Sequence, residues 1–395
     1  MGRGLRRGLA VCAAALIAAP GASAEERPDA EQTRAMMHEI FAAFATLVRH
    51  TDDPADFASL AEREEIVRSL QTLQRNADRL EGHAAHGGLS VAHRPVGRSL
   101  TEDVARALDQ MVVGHYESAR FLSSQLVENC FACHSKLPSN HRFEMGAQLL
   151  ASEPIASLPP ERKALLAVAA RQFDTALDLH EGFIGDPQRS PVEIALSGAF
   201  ESYLKIVLRV RGDRDRALRT LTTFHERPDL PLYLETEVGD WIEMLRQIDL
   251  DAPPEDLLAR AREQVEAARL LTAYPGDRRG LVNFVVASRW LHQHMDRAGL
   301  SREDRAETLL WLGLCEIHIS TSLWVSEAEW FLESAIRTAP ETPFARTAYT
   351  ILEAVFIEGY SGMDGTHVPP EVDRRLATLR ELLEAPERAS EEVPE

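Results

Sequence analysis

The residues best suited to chemistry lie together in one short stretch, ENCFACHSKLP, at positions 128–138. Cys130 and Cys133 stand three residues apart, and His134 follows the second cysteine directly. On a helix these three side chains share one face, within reach of a single bound group. Two sulfurs and an imidazole at this spacing are compatible with a zinc ion, a disulfide beside a histidine, or a covalently attached haem.

The C-x-x-C-H pattern favours haem over the other two alternatives. The two thiols add to a haem as thioethers, and the adjoining imidazole becomes an axial ligand of the iron. A structural zinc site needs four protein ligands, and the chain has no second C-x-x-C. A thioredoxin-like redox pair normally opens a helix in a βαβ unit, and a plain disulfide leaves the histidine without a function. The pattern therefore predicts one haem c, attached by Cys130 and Cys133, with His134 as the proximal iron ligand.

The first 24 residues have the pattern of a secretory signal peptide. Three arginines precede an apolar run over residues 9–19, and the small residues ASA follow at positions 22–24 as a cleavage site. A membrane anchor is the alternative, but the apolar run is too short to span a bilayer. We therefore expect export to the periplasm, and covalent haem attachment takes place after such a translocation.

The charge of the chain limits the classes of partner. With 43 Lys and Arg against 62 Asp and Glu, the net charge is −19, and it becomes −22 when the signal peptide is removed. This balance argues against nucleic acid or anionic lipid as a partner. No stretch after the signal peptide is apolar enough to predict a membrane span. Cys315 stands alone in an apolar run and is expected to be a buried small hydrophobe.

Helical periodicity dominates the chain and predicts an all-α fold. From residue 30 to 137, apolar residues recur at three-and-four spacing in segments joined by short connections, which predicts an N-terminal four-helix bundle. Thr101 is the expected N-cap of its third segment, and Gly114 is the expected break before the last. Residues 139–160 contain three prolines and are expected to be an irregular domain boundary.

Beyond the boundary the helices come in pairs, which predicts an α-solenoid. One pair resembles the tetratricopeptide repeat, in which small residues lie where two helices cross and a proline closes the unit. The residues that carry this resemblance are Leu312, Gly313, Ala328, Ala335 and Pro340, with a fainter copy at Ala217, Phe224 and Pro228. The predicted organisation is a signal peptide at 1–24, a haem bundle at 25–145, helical repeats at 155–380 and a disordered acidic tail at 385–395.

A single C-x-x-C-H at the end of the last helix of such a bundle resembles the class II cytochromes c, the cytochrome c-prime family. The likeness covers residues 25–145 and implies that Cys130 and Cys133 form the thioethers and that His134 is the proximal ligand. Many family members carry a basic residue four places after the histidine, which meets a haem propionate. This chain has Pro138 at that place.

The resemblance also bears on the other side of the iron, because the first helix faces the haem there in that family. Met36 and Met37 lie in this helix, and the resemblance implies that one of them is the distal ligand. A methionine–histidine pair favours electron transfer. The alternatives are that both methionines only fill the core, or that His83, His86 or His93 supplies a second imidazole.

The sequence therefore predicts a periplasmic monohaem cytochrome c that carries single electrons and is not an enzyme. Its helical repeats would dock a redox partner protein, and the family resemblance implies a homodimer as well. Two alternatives stay open: a five-coordinate haem protein that binds or senses gases, and a repeat scaffold whose haem is only structural. Trp311, Trp324 and Trp330 imply no further cofactor.

Overall fold

The computed structural model describes residues 28–51, 54–85, 94–136, 144–152, 155–250, 255–274, 276–320, 327–362 and 365–391. Over these residues the protein is all-α, as the periodicity predicts, and the strands within them are a single pair of two-residue segments, Ser361–Gly362 and Gly365–Thr366. The same residues include no helix with both the length and the apolar character that crossing a membrane requires. The predicted signal peptide lies outside them.

The N-terminal helices are α1 (Pro28–Thr51), α2 (Pro54–Ala58), α3 (Arg63–Ala85), α4 (Arg94–Val112) and α5 (Tyr116–His134). Short connections join the long helices α1, α3, α4 and α5, so that neighbours run antiparallel. They pack in that order, and α1 also contacts α5. Their shared core includes Met36, Ile40, Phe44, Leu47, Phe57, Ile66, Leu70, Leu73, Ala77, Val104, Ala107, Met111, Ala119, Leu126 and Val127.

The start of α4 differs from the expectation drawn from the sequence. The helix begins at Arg94, so Thr101 lies inside it and is not its N-cap. The Thr101 hydroxyl instead donates to the carbonyl oxygen of Gly97 at 3.2 Å. Pro95 lies in the first turn, where its missing N–H has no intrahelical partner to lose. The expected break before α5 is confirmed, because Gly114 has a φ of +88°.

Residues 139–160, for which the sequence predicts irregular structure, contain the helix α6 (Glu144–Leu150) and a 3₁₀ turn at Ile155–Ser157. Ile155 is fully buried and belongs to the core of the N-terminal helices. Phe131 of α5, conversely, belongs to the core formed by the helices beyond residue 160. Apolar packing is therefore continuous across the segment where the sequence predicts a boundary.

The C-terminal helices are α7 (Pro160–Ala169), α8 (Phe173–Ile184), α9 (Pro191–Leu196), α10 (Ala199–Leu204), α11 (Arg214–His225), α12 (Leu232–Gln247), α13 (Leu257–Leu271), α14 (Leu281–Met295), α15 (Arg302–Ile319), α16 (Glu327–Thr338), α17 (Pro343–Gly359) and α18 (Pro370–Glu391). A π-helical segment, Lys205–Arg211, continues α10. Helices adjacent in sequence pack as pairs, most extensively α15 with α16 and α13 with α14. The segment predicted to be disordered, 385–395, begins inside α18.

A close helix crossing explains the Leu312-Gly313 signal in the sequence. A Cβ placed on Gly313 would lie only 2.7 Å from Cδ2 of Leu332, so glycine is what lets α15 and α16 approach each other. Ala328 and Ala335 of α16 are both buried. The small residues that resemble a tetratricopeptide repeat therefore lie along the packed face of two adjacent helices.

His180 of α8 makes the stability of the fold depend on pH. Its side chain is buried, and its Nε2 has no hydrogen-bond partner among the described residues. Burial, opposed by the charge of Glu181, lowers the pKa of His180 from 6.5 to about 4. Between these two values the unfolded chain binds a proton that the folded chain does not. The stability contributed by the neutral imidazole is therefore complete above pH 6.5 and is lost as the pH falls towards 4.

We predict that His180→Leu makes the free energy of unfolding less dependent on pH. Between pH 7.5 and 4.5 the wild type should lose roughly 2 to 3 kcal/mol more than the variant, as measured by urea unfolding at a series of pH values. His367→Leu, which replaces an exposed imidazole, is the control and should keep the wild-type slope. An equal slope in wild type and His180→Leu would contradict the assignment.

Candidate functional site

The C-x-x-C-H stretch forms the last turn of α5. Cys130, Cys133 and His134 all lie within the helix, which ends at the histidine, so their side chains share the face that the spacing predicts. All three are half-buried. Both cysteines are free, and no disulfide joins them. The two sulfurs are therefore available to another group.

The surroundings of both sulfurs disfavour a negative charge. Burial, reinforced by the neighbouring Cys133, raises the pKa of Cys130 to about 12. Burial also raises the pKa of Cys133, to about 11, although Lys136 and Arg171 act against it. Zinc binding and thiol exchange both require the thiolate. A thioether carries no charge, so this environment fits thioether bonds better than it fits thiolate chemistry.

The imidazole of His134 is held in the form that binds a metal. Its Nδ1 lies 3.3 Å from the backbone carbonyl oxygen of Val168 in α7. A carbonyl can only accept, so Nδ1 carries the proton and Nε2 keeps its lone pair. Burial, helped by the positive charge of Arg171, lowers the pKa of His134 to about 4, which keeps the ring neutral at neutral pH. A hydrogen bond from the other ring nitrogen to a carbonyl is characteristic of metal-ligating histidines.

The three side chains of the motif contact three different parts of the protein. Cys130 packs against the core of the N-terminal helices. Cys133 packs against a small cluster formed by Val96 of α4 and Ala132, and Trp330 of α16 packs against the same cluster. The imidazole meets α7, as described above. The motif therefore lies where the N-terminal and C-terminal helices meet, and both groups of helices surround it.

A buried arginine caps the helix that carries the motif. Arg209, in the π-helical segment, donates from Nε to the carbonyl oxygen of Ser135 at 2.7 Å and from Nη2 to the Ser135 hydroxyl at 3.1 Å. Its Nη1 lies 2.6 Å from Oε1 of Glu316 in α15. Carbonyls at a helix C-terminus lack intrahelical partners and carry partial negative charge. Arg209 satisfies one of them while its own charge is neutralised by Glu316.

Further charges surround this contact. The ammonium of Lys136, the second residue after the motif, pairs with the carboxylate of Glu327, and both side chains are buried. Lys205 is also buried, with Nζ 5.6 Å from the centroid of the Phe131 ring. We call Lys136, Lys205, Arg209, Glu316 and Glu327 the buried ionic cluster. It contains three basic and two acidic side chains.

The charges within the buried ionic cluster offset part of the penalty of burial. Burial alone would raise the pKa of Glu316, but Arg209, Lys205 and Lys136 outweigh it and hold this pKa below its ordinary value. Burial lowers the pKa of Lys205, although the charge of Glu316 opposes that shift. Each charge in the cluster therefore depends on the opposite charges around it.

Lys205, Arg209, Glu316 and Glu327 are not among the site residues that the sequence predicts. The sequence does indicate that three of them are buried. Lys205 and Arg209 interrupt the apolar run SYLKIVLRV, and Glu316 interrupts the apolar run LLWLGLCEI. Charges within runs too apolar for a surface indicate buried ion pairs. Cys315, beside Glu316, is fully buried, as predicted.

The two candidate methionines lie at the end of the N-terminal helices where α5 also ends, because α1 begins there and runs antiparallel to α5. Met36 is fully buried in the core against which Cys130 packs, whereas Met37 is half-buried at its edge. The alternative histidine ligands are not placed: His86 and His93 lie outside the described residues, as does the side chain of His83.

A surface groove of about 710 Å³ lies elsewhere, between α4 and α5. Its lining residues in α5 are Glu117, Ser118, Phe121 and Leu122. At 1.5 Å per residue, Leu122 is about 12 Å along the helix from Cys130. The motif does not contribute to this groove.

Comparisons with known proteins identify no relative: no family model, no curated protein and no solved structure matches the chain.

Removing one charge of the buried Arg209–Glu316 pair should strongly destabilise the fold. We predict that Arg209→Met lowers the free energy of unfolding by about 3 to 5 kcal/mol, because Glu316 and the Ser135 carbonyl then stay buried without their partner. Urea unfolding of the purified protein measures the change. The control Arg68→Met breaks an exposed pair with Glu64, and its effect should stay within about 0.5 kcal/mol.

A double variant separates the cost of an unpaired buried charge from the cost of lost packing. In the double variant Arg209→Met/Glu316→Leu neither partner of this pair stays buried alone, so part of the lost stability should return, although Lys205 also loses the charge of Glu316. If Arg209→Met were as stable as Arg68→Met, the buried pair would not hold the motif as described.

Proposed function

We propose that the protein is a monohaem c-type cytochrome that transfers single electrons. Cys130 and Cys133 would hold the haem through thioethers, and Nε2 of His134 would be the proximal ligand of its iron. One observation carries this proposal: the Val168 carbonyl holds the His134 ring in the tautomer whose Nε2 can bind a metal, beside two cysteines without a disulfide on the same helical face. The bound iron would supply the one-electron chemistry, and the chain would position and tune it.

The packing of the helices supports a class II cytochrome c as the form of this protein. The helices α1, α3, α4 and α5 pack in succession around one core, and the motif ends the last of them. In this proposal the paired C-terminal helices are repeats of tetratricopeptide type, and they dock a redox partner protein. The net charge of −19 favours a partner with a basic surface. Homodimer formation and a periplasmic location belong to the same proposal.

The charges beside the motif support a tuned reduction potential. The charge of Arg171 acts on both Cys133 and His134, and the charge of Lys136 acts on Cys133. Positive charge in a buried environment stabilises the reduced iron relative to the oxidised iron. We therefore propose that these residues raise the potential of the bound haem.

For the distal ligand we propose Met36. Of the two candidates, it alone is fully buried in the core that Cys130 also contacts. Met37 is partly exposed on the same helix. A thioether at this position, together with His134, would close the sixth position to gases and favour electron transfer.

The first test of this proposal is the colour and spectrum of the exported protein made in a host with c-type haem maturation. We expect haem that remains attached after extraction with acidified acetone, and a low-spin reduced spectrum that carbon monoxide leaves unchanged. Cys130→Ser/Cys133→Ser should lose the covalent haem, whereas the control Cys315→Ser, which replaces the buried cysteine of α15, should retain it. A colourless product would overturn the proposal, and a high-spin reduced form that binds carbon monoxide would favour gas binding instead.

The second test separates the two methionines. We predict that Met36→Ala opens the sixth position, so that the reduced protein becomes high-spin, binds carbon monoxide and has a potential lower by on the order of 100 mV. Absorption spectra and a redox titration measure these changes. Met37→Ala is the matched control on the same helix and should keep the wild-type spectrum. If neither variant differs from the wild type, no methionine of α1 is the ligand.

A further inference from the structure

Three side chains of types that commonly bind metals lie close together at the end of the N-terminal helices opposite the C-x-x-C-H motif. His50 lies in the last turn of α1, Glu62 directly precedes α3, and Glu65 lies in the first turn of α3. A ring nitrogen of His50 and one carboxylate oxygen from each glutamate lie within 4.8 Å of one another. All three residues are half-buried, so a bound ion would be partly shielded from water.

A fourth residue orients the imidazole of this group. Oδ2 of Asp56, in α2, lies 2.7 Å from Nδ1 of His50. A carboxylate accepts, so Nδ1 carries the proton and Nε2 keeps the lone pair that a metal requires. With Nε2 as the ligating nitrogen, the carboxylate on Nδ1 would fix the ring and raise the basicity of Nε2, as in many zinc sites. The group therefore has three candidate ligands and a carboxylate that orients the histidine among them.

The local charge also favours a cation. Glu62 and Glu65 form no ion pair with a basic side chain in the described part of the chain. Arg63 lies between them in sequence, but its guanidinium stacks over the ring of Tyr116, 4.3 Å from the ring centroid. Among the described residues, three carboxylates thus lie around one imidazole, and the two glutamates have no arginine or lysine partner there. A divalent cation would neutralise most of this charge.

We propose that His50, Glu62 and Glu65 bind one zinc ion, with Asp56 as a positioning residue. Zinc accepts nitrogen and carboxylate oxygen ligands at about 2.1 Å and takes three protein ligands with water as the fourth. Tetrahedral ligands at that distance are about 3.4 Å apart, so small side-chain rotations would close the present spacing. The imidazole favours zinc over magnesium or calcium, which prefer oxygen ligands. The ion would tie α1, α2 and α3 together.

The test is zinc binding to the full mature protein with its haem, after removal of bound metal with a chelator. Isothermal titration with zinc chloride should find one zinc ion per chain at this site. His50→Ala should weaken its affinity at least about 100-fold, and the isosteric Glu65→Gln at least about tenfold. Asp56→Asn leaves all three ligands in place, and it should weaken affinity by about 10- to 100-fold because the ring loses its support.

The matched control is His115→Ala. This histidine is exposed at the start of α5, and its ring contacts Gln110 at 3.0 Å, so its loss should leave zinc affinity unchanged. Zinc should raise the melting temperature of the wild type and of this control, but not that of His50→Ala. The haem spectrum should stay the same in all variants, which separates this test from that of the proposed function. The proposal would be overturned if the wild type bound no zinc. It would also be overturned if His50→Ala and Glu65→Gln bound zinc as tightly as the wild type.

Discussion

The contact between Arg209 and the end of α5 is the interaction on which the arrangement of the site depends. One guanidinium binds the carbonyl and the hydroxyl of Ser135 and pairs with Glu316, and all of these groups are buried. A charge in such a place is stable only while each of its partners is present. The contact therefore fixes α5, the π-helical segment and α15 relative to one another, with the C-x-x-C-H motif one residue away from it.

This constraint places the motif between two groups of helices. In a free-standing bundle, the bundle alone would set the environment of Cys130, Cys133 and His134. Here α7 supplies the carbonyl that orients the imidazole, and α16 supplies Trp330, which packs against the same Val96–Ala132 cluster as Cys133. The chemistry of the motif and the packing of the C-terminal helices are consequently linked, and the helices proposed to dock a partner also contact the proposed haem ligand.

Local patterns in the sequence predicted the structural features that depend on residues close to one another along the chain. The all-α fold, the break at Gly114, the crossing at Gly313 and the shared face of the C-x-x-C-H residues all follow from spacing within a few turns. The start of α4 was mistaken because Pro95, which breaks most helices, is tolerated in a first turn. The buried ionic cluster could not be assembled, because Arg209 and Glu316 are 107 residues apart and one sequence does not show which distant charges pair. The hydrogen bond between His50 and Asp56 likewise depends on where α2 lies relative to α1.

The π-helical segment Lys205–Arg211 makes the cluster depend on the geometry of the backbone. A π-turn holds one residue more than an α-turn, and in this segment both Lys205 and Arg209 are buried at the site. Each residue of a π-turn advances by a smaller angle around the axis than the roughly 100° of an α-helix. If the same residues formed an α-helix, Arg209 would be turned around the axis away from its present position relative to Lys205, although every side chain of the cluster would be unchanged. At this point the register of the backbone matters as much as the identity of the residues.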